Sequence, residues 1–148
     1  MPQHHEYRHM PYSVEQIFDL VADVARYPEF LPWTAAARIR SRKPIAGGEE
    51  IEADLVISFK VFRERFGSRV QLYPEAGRID TAYLDGPFKY MLSHWQVDAG
   101  PDGGCIVDFS VDFEFRNPVL QTLIGVVFDQ AMRRVVGAFE ARAKQLYG

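Results

Sequence analysis

Between Ala36 and Phe115 apolar and polar residues alternate with a period of two, which predicts successive strands. Ala37, Ile39 and Ser41 alternate with Arg38, Arg40 and Arg42, and after a Gly47-Gly48 turn Ile51, Ala53, Leu55, Ile57 and Phe59 alternate with Glu50, Glu52, Asp54 and Ser58. Phe62, Phe66, Val70 and Leu72 alternate with Arg63, Arg65, Arg69 and Gln71. A turn at Pro74–Gly77 leads to a shorter strand from Arg78 to Leu84, and Asp85-Gly86-Pro87 leads to another from Phe88 to Val97, whose inward face the pattern leaves open. After a Gly-rich loop, Cys105, Val107, Phe109, Val111, Phe113 and Phe115 face opposite to Asp108, Ser110, Asp112 and Glu114. Strands joined by short Gly/Pro turns predict an antiparallel meander with one wet and one apolar face.

The period changes to helical on both flanks. His4 to Met10 reads as a short first strand with poor alternation, and Ser13 with Gln16 forms a capping box for an amphipathic helix over Val14 to Asp23. Arg26 to Phe30 adds a turn before Pro32. Asn117-Pro118 opens a second helix, with an apolar stripe from Leu120 to Leu146 and no break until Tyr147. Its length, roughly 43 Å at about 1.5 Å per residue, exceeds the width of a small sheet, so one end is expected to overhang or serve as a lid. Gly125 and Gly137 interrupt this helix and read as close-packing positions, with a hinge as the alternative.

A single domain over residues 1–148 follows, since no repeat, linker or low-complexity segment breaks the chain. Hydrophobic residues make up 47% and aromatics 14%, enough for a core without disulfides. A net charge of −3 gives no global attraction to nucleic acid or anionic lipid. Cys105 stands alone, which excludes an internal disulfide and a cysteine metal cage and suggests a reducing compartment. The first residues lack the pattern of a signal peptide, and no apolar run is long enough to span a bilayer, so a soluble cytoplasmic protein is expected.

Candidate chemistry is sparse on the catalytic side. There is no nucleophile elbow, phosphate loop or metal-spaced cluster. His4 and His5 lie near an end expected to fray, and His94 beside Trp95 reads as a hydrogen-bonded structural residue. No catalytic residue and no metal ligand is assigned. Arg38, Arg40, Arg42 and Lys43 form one basic group, and Arg63, Arg65 and Arg69 another. Alone these suggest RNA or phosphate binding; if the strands pair in sequence order, Glu50, Glu52 and Asp54 lie between them and the face becomes a ladder of ion pairs.

The segment Tyr27-Pro28-Glu29-Phe30-Leu31-Pro32-Trp33 packs four large side chains around two prolines. It either plugs the end of a core or walls an apolar pocket. A bent sheet gripping a straight helix often leaves a cavity, which favours the pocket; the alternative is that the inward side chains of sheet and helix simply pack together. The inward candidates for its lining are Leu55, Ile57, Phe59, Val107, Phe109, Val111 and Phe113, facing Phe128, Met132, Val135 and Phe139 of the long helix. Tyr83, Tyr90, Ser93 and Trp95 are candidate orienting contacts, since small-molecule pockets are mostly apolar with a few polar groups.

The order strand, helix, aromatic turn, six-stranded meander and long terminal helix resembles the α+β helix-grip fold of START-like (polyketide cyclase/dehydrase) domains. Within that superfamily, Tyr27 to Trp33, Leu84-Asp85-Gly86-Pro87-Phe88-Lys89, and Val107-Asp108-Phe109 through Phe113-Glu114-Phe115 resemble the coenzyme Q-binding, ribosome-association-toxin branch. Thr34 departs from it, since members often carry Cys after the Trp. The resemblance implies a curved sheet of about seven strands around the C-terminal helix and a nonenzymatic carrier of ubiquinone or a related polyisoprenoid that supports respiratory electron transport. Tyr27, Phe30, Leu31 and Trp33 would then form a gate, and Val119, Leu120, Leu123 and Ile124 would face a membrane or act as a lid, with peripheral contact at the inner membrane. The resemblance equally implies a rival, a toxin that binds the large ribosomal subunit through Arg38, Arg40, Arg42 and Lys43 and blocks subunit joining. A cyclase or hydratase on the same fold would require polar groups inside the cavity, where the inward positions are overwhelmingly apolar.

Overall fold

The computed structural model describes residues 3–59 and 62–148, with the side chains of Phe59 and Phe62 outside that description. In chain order its elements are β1 (Gln3–Met10), α1 (Val14–Ala22), a 3-10 segment (Val24–Glu29), β2 (Thr34–Ile45), β3 (Gly48–Phe59), β4 (Phe62–Tyr73), β5 (Arg78–Asp85), β6 (Phe88–Ala99), a short 3-10 turn (Pro101–Gly103), β7 (Cys105–Phe115) and α2 (Pro118–Tyr147). The capping box forms as the sequence predicts: Gln16 N donates to Ser13 Oγ (3.1 Å) and Ser13 N to Gln16 Oε1 (3.0 Å). Asn117 Oδ1 likewise accepts from Val119 N and Leu120 N at the start of α2.

The sheet has seven antiparallel strands in the order β1-β7-β6-β5-β4-β3-β2, a six-stranded meander with β1 added beside β7. Register shifts interrupt β2 (Thr34/Ala36 and Ile39/Ser41), β5 (Tyr83/Asp85, opposite Ser68 and Gly67) and β6 (Phe88/Tyr90). Such bulges bend and twist the strands that carry them, which curls the sheet around α2.

The buried residues divide into two groups. One gathers Ile17, Val21, Ile51, Ile79, Trp95, Val97, Val107 and Phe139 under α1 and the C-terminal half of α2. The other gathers Phe66, Phe88, Met91, Phe113 and Phe128 under its N-terminal half.

Four expectations change. The bulge in β2 breaks the alternation, so Lys43 stands opposite Glu50 while Arg42 stands opposite Ile51, on the other side of the strand from Lys43. His4 is buried (5% exposed) rather than frayed: its Nδ1 lies 2.9 Å from Asp129 on α2, and its Nε2 2.7 Å from Glu6. Arg8 bridges Glu6 to Glu140, also on α2, so β1 turns a polar row toward the helix, and that row is why its alternation is poor. Both ends of α2 are anchored instead of one overhanging: Gln121 accepts from Phe115 N, and Tyr147 donates to Gln16 O. Nor does close packing explain the helix glycines. A Cβ on Gly125 would meet nothing within 4 Å, and one on Gly137 only the tip of Arg8 at 3.6 Å.

Candidate functional site

Between the two buried groups, under α2, the curl of the sheet leaves a cavity of about 290 Å³. Its walls are the inward side chains of β3 to β7, the 3-10 segment with the loop that follows it, and one face of α2. None of its described lining residues is charged. Among the described residues, no group of three or more His, Cys, Asp or Glu comes together to hold a metal.

Most of the residues singled out from the sequence converge here. Leu55 and Ile57 of β3, Trp95 of β6, Phe109, Val111 and Phe113 of β7, and Phe128, Met132, Val135 and Phe139 of α2 all line the cavity. Ser93 lines it as well, because β6 turns Met91, Ser93, Trp95 and Val97 inward. Three do not. Val107 lies in the core beyond the cavity wall, 1% exposed. Tyr83 packs edge-on to Phe88 and accepts a hydrogen bond from Phe88 N. Tyr90 alternates with the inward Met91 and Ser93 and so lies on the outer face, where its hydroxyl donates to Asp112 at 3.1 Å. Phe59 lies in β3, and its side chain is outside the described residues.

The aromatic segment both plugs the core and walls the pocket. Tyr27 and Phe30 stack edge-on to Phe139, with ring centroids 5.4 and 5.3 Å away. Tyr27 also donates its hydroxyl to Val21 O, and burial, helped by Asp23, pushes that hydroxyl's pKa well up. Tyr27, Leu31, Pro32 and Trp33 line the cavity, whereas Phe30 seals the outside of that wall without reaching it. Two arginines of α2 fasten the segment: Arg142 bonds Glu29 at 2.6 Å and lies over the Phe30 ring, and Arg134 lies 5.3 Å over the Trp33 ring. Trp33 itself sits at φ 63, a left-handed conformation that costs a bulky residue about 1–3 kcal/mol.

The sequence reading missed Phe66, Ser68, Ile79 and Thr81 as lining residues. Each lies two residues from another inward side chain on β4 or β5, so the period held the signal, and Ser68 and Thr81 were hidden by being polar. On α2, Ile124, Val127 and Ala131 line the cavity, Leu120 is buried, and Val119 (65%), Leu123 (50%) and Val126 (83%) are exposed. The expected membrane- or lid-facing group therefore splits between interior and surface.

The basic groups are largely spent on neighbouring carboxylates. Asp54 accepts from both Arg40 and Arg65, Asp85 pairs with the same two arginines, Glu50 takes Lys43 and Arg69, and Arg42 pairs with Glu49. Gly67 makes the first network possible, since a Cβ there would stand 2.7 Å from Arg40 Nη2 and block its reach across β4. Hydrogen bonds from Arg40 hold the Asp54 and Asp85 carboxyls below their usual range, and those from Gln71 and Lys43 do the same for Glu50.

Comparison with known proteins agrees with this architecture. The ribosome association toxin RatA of Rickettsia prowazekii is 39% identical, covering 93% of this chain and 92% of its own. The mitochondrial coenzyme Q-binding protein COQ10 homolog B of Xenopus laevis is 31% identical over 99% of this chain and 59% of its own. In structure, an 18 kDa protein of Caulobacter crescentus matches with a TM-score of 0.82 at 32% identity, covering 100% of this chain and 99% of its own. The Zhui aromatase/cyclase of a Streptomyces species shares the fold at a TM-score of 0.83 and 15% identity, over 97% and 94% of the two chains. The model of the polyketide cyclase/dehydrase and lipid transport family matches residues 10–140, and with these relatives it establishes that the chain belongs to that family.

Proposed function

We propose that the chain binds ubiquinone or a related isoprenoid lipid in the cavity under α2 and carries it without transforming it. The observation that carries this reading is the lining: large, apolar and free of charge among the described residues. Burial at roughly 0.8 kcal/mol per CH₂ makes each enclosed isoprene unit worth about 3–4 kcal/mol. A cavity of about 290 Å³ lies at the low end for ligand pockets, so it takes a head and the first part of a tail. The remainder of a long tail would leave past Trp33 and along Leu123 and Val126, exposed apolar residues that also suit contact with a membrane surface. The coenzyme Q-binding relative supports the same ligand class. Carriage rather than catalysis fits a lining that, among the described residues, holds no His, Cys, Lys, Asp or Glu and so offers no strong general acid–base pair.

The direct test is solvent extraction and mass spectrometry of protein purified without detergent from a quinone-containing host. About one quinone per chain is the expected result; protein that arrives empty and takes up no added quinone overturns the reading.

A second reading, association with the large ribosomal subunit, is favoured by relatives described as ribosome association toxins. Its basic face is mostly paired internally, although Arg38 has no ion-pair partner among the described residues. Co-sedimentation with large subunits that falls steeply with added salt would support it.

A further inference from the structure

Two hydroxyls distinguish one spot in the otherwise apolar cavity. Thr81 on β5 and Ser93 on β6 are direct cross-strand partners, and both side chains line the cavity. The other hydroxyls of the lining are already engaged: Tyr27 donates to Val21 O, Ser68 to Ala53 O at 3.5 Å and Thr34 to Pro32 O at 3.4 Å. Among the described residues nothing bonds the Thr81 or Ser93 hydroxyl, and neither is sealed from the cavity space. Polar groups inside proteins are nearly always paired, so an unpaired couple facing an open cavity marks where a ligand's polar atoms belong.

Their position is informative too. β5 is the central strand of the sheet, and β6 is its neighbour. One step along the inward face lie Ile79 and Trp95 of the first buried group, and Met91 of the second lies one step the other way. The pair therefore sits on the inner wall, at the seam between the two groups and at least two strands from β3, where Ser58 N bonds Trp33 O.

From this we infer that Thr81 and Ser93 form the recognition point for an uncharged oxygen-bearing head, which enters first and leaves the tail toward Trp33. The inference rests on the carrier reading and adds to it the ligand's charge class, its orientation and the residues that set both. A hydroxyl rotates to donate to a carbonyl or ether oxygen, or to accept from an alcohol. An ionised carboxylate or phosphate would be buried with no countercharge in the described lining, a cost that two neutral hydroxyls do not offset.

The test compares three probes, decylubiquinone, decylbenzene and palmitate, each partitioned from a cyclodextrin reservoir onto the protein. The first two share a ring and a tail and differ in the oxygens. The variant is Thr81→Val with Ser93→Ala, which removes both hydroxyls at nearly constant volume; Thr81→Ser with native Ser93 retains them. Two modest hydrogen bonds predict a loss of about tenfold in decylubiquinone affinity for the double variant, with decylbenzene held within about twofold and Thr81→Ser near wild type. Unchanged decylubiquinone affinity in the double variant overturns the inference and leaves the carrier reading intact. Equal weakening of both ring compounds also overturns it, since that is loss of packing. Palmitate uptake matching that of decylubiquinone removes the uncharged head from it. Wild-type protein that takes up none of the three defeats the carrier reading, and this inference with it.

Discussion

At the level of single residues, Phe139 joins the Tyr27–Trp33 segment to the core. Its ring is 2% exposed and meets Tyr27, Phe30 and Trp95 edge-on. Phe139→Ala should cost about 3–5 kcal/mol in urea unfolding, because the three rings around it cannot all close the space. Leu31 is different: half-buried at the cavity wall, it leans on the core from one side. Leu31→Lys should slow lipid uptake severalfold in a vesicle-to-protein transfer assay while moving stability by about 0.5–1 kcal/mol. Equal damage to both would make Leu31 an ordinary core residue. The period-two pattern made Leu55, Ile57, Phe109, Val111 and Phe113 legible because an apolar side chain and an inward position coincided. Thr81 was illegible for the opposite reason, being a polar residue on an inward position. Tyr90 and Ser93 stood together as candidates only while the inward face of β6 was open; alternation puts them on opposite faces, and Met91, Ser93 and Trp95 take the inner one.

Among the elements, α2 was the most legible in extent and the least in detail. Its cap, its start at Pro118 and its continuation to Tyr147 follow from residue type and spacing. The role of its glycines does not, because space around a Cβ is a tertiary property. Gly125 is exposed, lies on the turn between Leu123 and Phe128, and has open space around it. Gly125→Ala should therefore raise stability by up to about 1 kcal/mol, measured as a shift in the urea midpoint at constant slope. A loss of stability would mean that the helix at Gly125 needs a freedom that only glycine gives. The strands show the same division between local and tertiary information. Each of the seven was legible, but the bulge between Ile39 and Ser41 that moves Arg42 off the face of Arg38 was not, because it depends on how β2 fits β3.

For the whole molecule, the largest charge network and the apolar cavity lie on opposite faces of the sheet. The Arg40–Asp54–Arg65–Asp85 network stands on its outer face, the Glu6–Arg8–Glu140 bridge ties β1 to α2 outside the cavity wall, and the lining of the inner cavity is uncharged among the described residues. Acid should therefore act on stability and on affinity differently. Asp54, Asp85 and Glu50 hold carboxyl pKa values below those of the unfolded chain, which lie near 4. Between the folded and unfolded values the unfolded state binds more protons, so the stability these groups contribute is complete above about pH 4 and is lost as pH falls through the folded values. The urea midpoint should hold steady near neutrality and drop below about pH 4, and Asp54→Asn should flatten that drop. Affinity has no such lever. Tyr27 is the lining residue with a displaced pKa, and its hydroxyl is pushed upward, away from the neutral range. Decylubiquinone partition onto the protein should thus stay level between about pH 5 and 8, where the fold is fully stable. A titration of affinity within that range would place an ionising group against the ligand, and the uncharged cavity would no longer account for binding.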